Sequence, residues 1–308
     1  MNYIFGIDIG GTKTSVAIAN ANAEPIIKET FKTCPENGAQ SLVERIKDTF
    51  YKLCADGNIT KEQVTLCGVA CPGPLDVKNG KIIHIATMGF RNVPIKQMLE
   101  SSLSMPVFLE NDANCAALAE SVIGVGKGLD PLVYITVSTG VGCGIVVNGE
   151  ILSGAFSSAG EIGHITVEPN GIPCPCGKKG CLERYASGTA IEELATAIKG
   201  DTVTAKKAFE LARNGDEQMK KIIDTATQKL ALGLSSVYHL IDPQVIVLGG
   251  SVINDYDVFS DSLNAYLNEY TQPIENRNFN IKISEFCGEQ VLLGALIYAK
   301  QSAERKAL

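Results

Sequence analysis

The sequence predicts an α/β protein built as two duplicated lobes, and three observations carry that prediction. An apolar run at residues 3–9 ends in Gly10-Gly11-Thr12 and is followed at once by a second run at 15–19, which reads as strand, glycine turn, strand. The same grammar returns in the second half, where Ser138-Thr139-Gly140-Val141-Gly142 joins a strand at 132–137 to one at 144–147. Between and after these hairpins, short apolar runs alternate with stretches of helical periodicity, as in an α/β chain. One such turn in each half suggests lobes that grip a polyphosphate from both sides; two unrelated hairpins are the competing account.

Composition narrows the class. A chain of 308 residues has room for two lobes of ordinary size. Its net charge of −7 weighs against a nucleic-acid or membrane-surface binder. No apolar run reaches the ~18 residues of a membrane span. The N-terminus, MNYIFGIDIGG, carries neither a basic region nor a cleavage site, so a cytoplasmic protein is expected. Its ten cysteines then read as reduced thiols or metal ligands. Cys34, Cys54, Cys67, Cys71, Cys115, Cys143 and Cys287 are scattered and read as small hydrophobes.

The remaining elements follow in order. Residues 25–31 make a third strand, and 37–55 an amphipathic helix with Leu42, Ile46, Phe50 and Leu53 at helical spacing. A buried strand at 64–70 runs into Cys71-Pro72-Gly73-Pro74-Leu75-Asp76, where the prolines force a loop. A helix at 94–103, a short strand at 106–109 and a helix at 113–122 come next, then a glycine-rich connector at 124–130. Helices are expected at 188–199, 203–213 and 216–240, a buried strand at 244–248, a helix at 258–270, a strand at 279–284 and a closing helix at 288–302.

Several of these junctions carry chemistry. Gly10 and Gly11 let backbone N–H groups approach a phosphate closely, and Thr12, Lys13 and Thr14 add hydroxyl and ammonium donors. Asp8 then sits beside the phosphates and a Mg²⁺ or its waters, or else caps the turn. DIGGT is neither a Walker A loop nor a GxGxxG fingerprint. Asp112 falls where a strand's carboxyl end meets a helix, able to accept a proton from a substrate hydroxyl; Asn111 beside it can hydrogen-bond neighbouring hydroxyls. The plainer account makes Asp112 and Asn114 helix caps. Gly249-Gly250-Ser251 at a strand's end could admit an adenine or ribose, or only allow close packing.

Residues 161–183 hold His164, Cys174, Cys176 and Cys181, a Cys₃His set suited to structural Zn²⁺. Gly177 and Gly180 supply the positive φ that a backbone needs to wrap a metal. Three reduced cysteines beside an ordinary histidine, or a disulfide, are the alternatives. Glu161 and Glu183 flank the set, and fixed carboxylates suit recognition of several hydroxyls on one small ligand.

Together these stretches resemble the ROK family of sugar kinases, within the actin, sugar kinase and Hsp70 superfold. The resemblance rests on DIGGTKT at 8–14, CPGPLD at 71–76, ENDANCAALAE at 110–120, TVSTGVGCGI at 136–145, GEIGH at 160–164, CPCGKKGCLE at 174–183, ASGTA at 186–190 and DPQVIVLGG at 242–250. It implies a two-lobed actin-like ATPase (ribonuclease H-like) fold with an interlobe cleft. A small N-terminal lobe would take 1–120 plus about 289–308, and a large C-terminal lobe 121–288 with the zinc motif. It implies ATP-dependent phosphorylation of the 6-hydroxyl of a hexose, glucose first, with Mg²⁺ and structural Zn²⁺, in a homodimer or a dimer of dimers. Asp112 matches the catalytic base. Asn111, Glu161, His164 and Glu183 match sugar contacts, with Gly73 a further one. Gly10, Gly11, Thr12, Lys13, Thr14, Ser138, Thr139, Gly140, Gly249 and Gly250 match nucleotide-binding segments, and Asp8 the acid near metal and phosphates. His164 would serve twice, one ring nitrogen on zinc and the other facing the sugar.

The chain departs from the family at Thr87, which replaces an asparagine that lines the sugar pocket of many ROK glucokinases. This opens the choice to allose, mannose, an N-acetylhexosamine (N-acetylmannosamine or N-acetylglucosamine) or a glycoside. Family repressors carry a winged-helix domain before the kinase-like lobes; DIGGT at residue 8 leaves no room for one here. A sugar-sensing regulator without turnover is the different-class alternative, against which the presence of Asp112 argues.

Overall fold

The computed structural model describes residues 2–274 and 278–307. The chain forms two compact units. The first comprises Met1–Ile123, Glu150–Ala159 and Phe286–Leu308, the second Gly124–Gly149 and Gly160–Glu285. Relative to the expected division, the first unit gains the excursion Glu150–Ala159.

The first unit opens with β1 (Tyr3–Ile9), β2 (Lys13–Ala19), β3 (Pro25–Lys32) and α1 (Gly38–Asp56). It continues through β4 (Val64–Cys71), β5 (Leu75–Asp76), β6 (Lys81–Ile85), β7 (Phe90–Val93), α2 (Ile95–Leu103), β8 (Val107–Asn111) and α3 (Asp112–Val122). The second unit contributes β9 (Leu132–Val137) and β10 (Val141–Val147); β11 (Glu150–Ile151) returns to the first. The second unit then runs through α4 (Glu183–Ala186), α5 (Gly188–Lys199), α6 (Ala205–Arg213), α7 (Glu217–Leu240), β12 (Val245–Gly249), α8 (Ser260–Tyr270) and β13 (Ile281–Ile283). Helix α9 (Gln290–Ala307) closes the first unit. No described helix is long and apolar enough to cross a membrane.

Strand order exposes the duplication. In the first unit β2 pairs antiparallel with β1, and β4 and β8 extend the sheet in parallel. In the second, β10 pairs antiparallel with β9, and β12 and β13 follow in parallel. The small sheet β5-β6-β7 is an addition that the sequence did not announce. Its strands are short, and its first turn depends on a local cap, Asn79 N–H donating to Asp76 Oδ1 at 3.1 Å.

Alternation along β1 assigns its two faces. Phe5, Ile7 and Ile9 pack with Leu42, Ile46 and Phe50 of α1 and Ile95 and Leu99 of α2. Ile4, on the opposite face, packs with Leu118 of α3 and with Leu292 and Leu296 of α9. Asp8 and Glu110 share the parity of Ile4 and Phe108, so both acids belong to the α3/α9 face. Helix α9 lies directly on the backbone: a Cβ at Gly68 would fall 2.0 Å from Ala295 O, and one at Gly294 would fall 1.8 Å from Cys115 O. The second unit builds its core from β9, β10 and β12 against α5, α6, α7 and α8, with Ile135, Ile246, Phe209, Leu234 and Leu263 buried together.

Candidate functional site

Parallel pairing gathers the first set of functional groups. Asp8 pairs with Ala70, Ala70 with Glu110, and Cys71 with Asn111, so β1, β4 and β8 end side by side. The carboxyl ends of adjacent parallel strands are where α/β folds place their ligands. Asn111 is the N-cap of α3, its Oδ1 accepting from Ala113 N–H at 2.9 Å and Asn114 N–H at 3.3 Å. The cap therefore spends the oxygen and leaves Nδ2 for other work. A Cβ at Gly73 would lie 3.4 Å from that Nδ2, so the glycine keeps the space beside the amide open. Asp112 follows as the first residue of α3, its Oδ1 accepting from Ala113 N–H at 2.8 Å. Asn111 thus caps the helix, and Asp112 begins it.

Burial, and then the charge of Asp112, push the Asp8 carboxyl up from 3.8 to about 7, with Lys13 pulling it back. Asp8 and Asp112 are thus close enough to feel each other's charge. The sign of the linkage follows. A carboxyl raised in the folded state favours folding below its unfolded value near 4, and that contribution disappears as pH rises through about 7. Asp8→Asn should therefore be more stable than the parent at pH 8, by about 2 kcal/mol after discounting for partial solvent access. The difference should shrink towards pH 5, and urea unfolding at the two pH values measures it. An unchanged difference would show that Asp8 does not carry the strain.

The hairpin turn beside Asp8 is braced from within. Thr14 Oγ1 lies 2.9 Å from Thr33 Oγ1, and Thr33 donates to Gly10 O at 2.6 Å. Gly10 N–H donates to Lys13 O at 3.0 Å. Gly11, Thr12 and Lys13 are exposed, whereas Thr14 is fully buried. The expectation that the Thr14 side chain would reach a phosphate is corrected: it faces inward, because its place on β2 points it at Thr33. Thr87 is exposed and faces this turn, its Oγ1 3.9 Å from where a Cβ at Gly11 would stand.

The second set of groups meets around Val141. Glu183 Oε2 accepts from Val141 N–H at 3.0 Å, and a Cβ at Gly140 would come within 2.4 Å of the same oxygen. A Cβ at Gly163 would strike Val141 O at 2.2 Å, so the short 3₁₀ turn Ile162–His164 lies against the other side of that residue. Glu161, His164 and Glu183 are thereby brought to the glycine turn that Ser138 and Gly140 form, Ser138 N–H donating to Gly140 O at 2.9 Å. Gly188 N–H, the start of α5, donates to Ser138 O at 2.7 Å. Gly249 and Gly250 meet β9 closely: a Cβ at Gly249 would fall 2.4 Å from the Tyr134 hydroxyl, and one at Gly250 2.3 Å from Val137 O. Close packing thus explains these two glycines. Ser251 follows them, its Oγ 3.1 Å from Ser138 Oγ, and borders a cavity of about 430 Å³ lined also by Phe209, Asn254, Lys206 and Glu192.

His164, Cys174, Cys176 and Cys181 converge, their ligand atoms all within 4.8 Å of one another. Cys176 Sγ lies 3.6 Å from Cys181 Sγ, and Cys174 Sγ 3.8 Å from His164 Nδ1. A tetrahedron with Zn–S of ~2.3 Å and Zn–N of ~2.0 Å has edges of roughly 3.5–3.8 Å, and both of these separations lie within about 0.3 Å of that, so the donor set suits zinc. Nδ1 faces the cysteines, and Nε2 lies 4.0 Å from Glu161 Oε2. Gly177 and Gly180 have φ of 91° and 73°; a Cβ at Gly180 would collide with Glu168 O at 1.7 Å.

Sequence reading passed over Glu110 and Thr33. Glu110 carried a readable signal, an acid closing the apolar run Val107-Phe108-Leu109 with the parity of a buried face.

Acids at the ends of parallel strands beside one glycine hairpin, with a second such hairpin held by a carboxylate, make this an actin-like ATPase fold adapted as a sugar kinase. The ROK family model matches residues 4–302, and the chain belongs to the ROK family. It is 32% identical to a glucokinase of Halalkalibacterium halodurans over 96% of this chain and 94% of that protein. It is 34% identical to an N-acetylmannosamine kinase of Yersinia pestis over 80% of this chain and 82% of that one. A xylose repressor of Caldicellulosiruptor bescii is 24% identical over 95% of this chain and 77% of the repressor. Among solved structures, a ROK family glucokinase from Streptomyces griseus in complex with glucose and AMPPNP superposes with a TM-score of 0.79 at 28% identity, covering 97% of this chain and all of that one (100%).

Proposed function

We propose that the protein transfers the γ-phosphoryl group of ATP to the 6-hydroxyl of a hexose, with glucose as the preferred acceptor. The observation that carries this reading is the gathering of Asp8, Gly73, Asn111 and Asp112 at the ends of β1, β4 and β8. Asn111 Nδ2 holds a hydroxyl at the reacting end of the sugar, and Asp112 accepts the 6-hydroxyl proton as the oxygen attacks phosphorus. Glu161, His164 and Glu183 hold ring hydroxyls. The amides of Gly11 and Thr12, and those of Thr139 and Gly140, donate to phosphate oxygens, while the Gly10 and Ser138 amides close their turns on Lys13 O and Gly140 O. The cavity beside Ser251 takes the adenosine end. Asp8 would hold Mg²⁺, which neutralises phosphate charge when bound. His164, Cys174, Cys176 and Cys181 would hold structural Zn²⁺, which fixes the tautomer and angle of His164. The assembly we assign is a homodimer or a dimer of dimers in the cytoplasm.

Thr87 beside Gly11 is assigned to the phosphate end rather than to the ring hydroxyls, which supports glucose over the alternatives its side chain first suggested. A panel of glucose, mannose, allose, N-acetylmannosamine, N-acetylglucosamine and a methyl glucoside tests this through kcat/KM. Glucose should lead by about tenfold or more. A lead for any N-acetylhexosamine would overturn glucose but not the kinase. Likeness to a repressor supports a second reading, a sugar sensor without turnover; ADP release dependent on sugar excludes it.

A further inference from the structure

We propose that Glu110 is a positioning residue for Asp112, a buried carboxylate whose only task is to hold the strand-to-helix corner at its catalytic angle. The inference rests on Asp112 being the base. Glu110 is 1% exposed at the end of β8. Its Oε1 accepts from Asn111 N–H at 2.9 Å and from Asn114 Nδ2 at 2.9 Å. Those donors stand on either side of Asp112 in sequence, so one oxygen atom ties both flanks of the acid to a single point. Asn114 Oδ1 has no hydrogen-bond partner among the described residues, which leaves the orientation of that amide to Glu110.

The far side of the carboxylate is held by other segments. Tyr298 of α9 donates to it, and Ser153 Oγ stands 3.5 Å from Oε2. Tyr298 reaches it because α9 touches α3 at Gly294, one helical turn earlier, where the two backbones meet. The corner is therefore referenced to the last helix and not only to its own strand.

Packing alone does not call for an acid here. The face is lined by Phe108, Leu118 and Leu296, and an apolar side chain would satisfy it without the cost of burying charge. A buried acid that receives donors from both sides of Asp112 is what the reaction needs, since small displacements of a base cost far more rate than stability.

Four variants test this: Glu110→Gln, Glu110→Ala, Tyr298→Phe and, as a reference, Asp112→Asn. Each is measured for kcat, KM for glucose and ATP, glucose Kd by calorimetry, and Tm. Glu110→Ala should lower kcat about 10- to 100-fold with glucose Kd within about threefold of the parent. Glu110→Gln, which keeps an oxygen for the two donors, should recover part of that loss. Tyr298→Phe should lower kcat about three- to tenfold. Should the Glu110 variants fail to fold, Tyr298→Phe decides. Wild-type kcat with a lowered Tm in Glu110→Ala or Tyr298→Phe overturns the inference, since that is the signature of packing alone. An active Asp112→Asn overturns the base assignment instead, and the two failures are distinct.

Discussion

Asp112→Asn is expected to lose about 10²- to 10⁴-fold in kcat while glucose binds within about threefold of the parent. The substitution keeps the shape of the side chain and its acceptance from Ala113 N–H through the amide oxygen. It removes the capacity to take up the hydroxyl proton. The Asn111 cap and the Gly73 opening stay intact, so sugar affinity has no reason to fall. Stopped-flow or coupled ADP release gives kcat, and calorimetry gives the affinity. The charge change also relieves Asp8, whose carboxyl Asp112 helps push up, so the variant should gain a little stability. Near-normal turnover would move the base elsewhere.

The parent is expected to carry about one zinc per chain, and Cys176→Ser to release it and weaken glucose binding about 10- to 100-fold. Cys176 is exposed, while Cys174 and Cys181 are buried, so its loss opens the cluster without carving the core. The effect on sugar travels through His164, whose Nδ1 faces the cysteines and whose Nε2 faces Glu161. Without the metal the imidazole is free to turn, and Glu161 loses its fixed neighbour. Mass-spectrometric metal analysis and calorimetry on the same sample separate the outcomes. Metal-free parent protein sinks the zinc assignment. Metal loss with unchanged glucose affinity sinks only the coupling to the sugar.

What could be read from the residues alone was local. The two glycine hairpins are contiguous runs whose turn residues sit between their strands, so period and glycine placement were enough for both. His164 to Cys181 is likewise one short segment, and its ligand chemistry is visible in its spacing. Long-range contacts were not visible. Thr14 meets Thr33 across a sheet, Thr87 meets the Gly11 turn from another strand pair, and Glu110 meets Tyr298 from the end of the chain. Each depends on which elements become neighbours, which periodicity does not state. Gly249 and Gly250 carry the same lesson, since a glycine that admits a ligand and one that admits a neighbouring strand look alike in sequence.

Helix α9 sets a clock on synthesis. It covers one face of β1 and β4, and Gly68 meets its backbone, yet it is translated after nearly everything else. At ~5–20 residues per second, a ribosome needs on the order of 15–60 s to make 308 residues. Until α9 emerges Ile4, Leu66 and Phe108 lack the leucines that bury them, whereas the second unit holds α4 to α8 with β9, β10, β12 and β13 within one nearly unbroken span. The nascent chain should therefore complete its second unit first, and chaperone demand should concentrate on the strands made earliest.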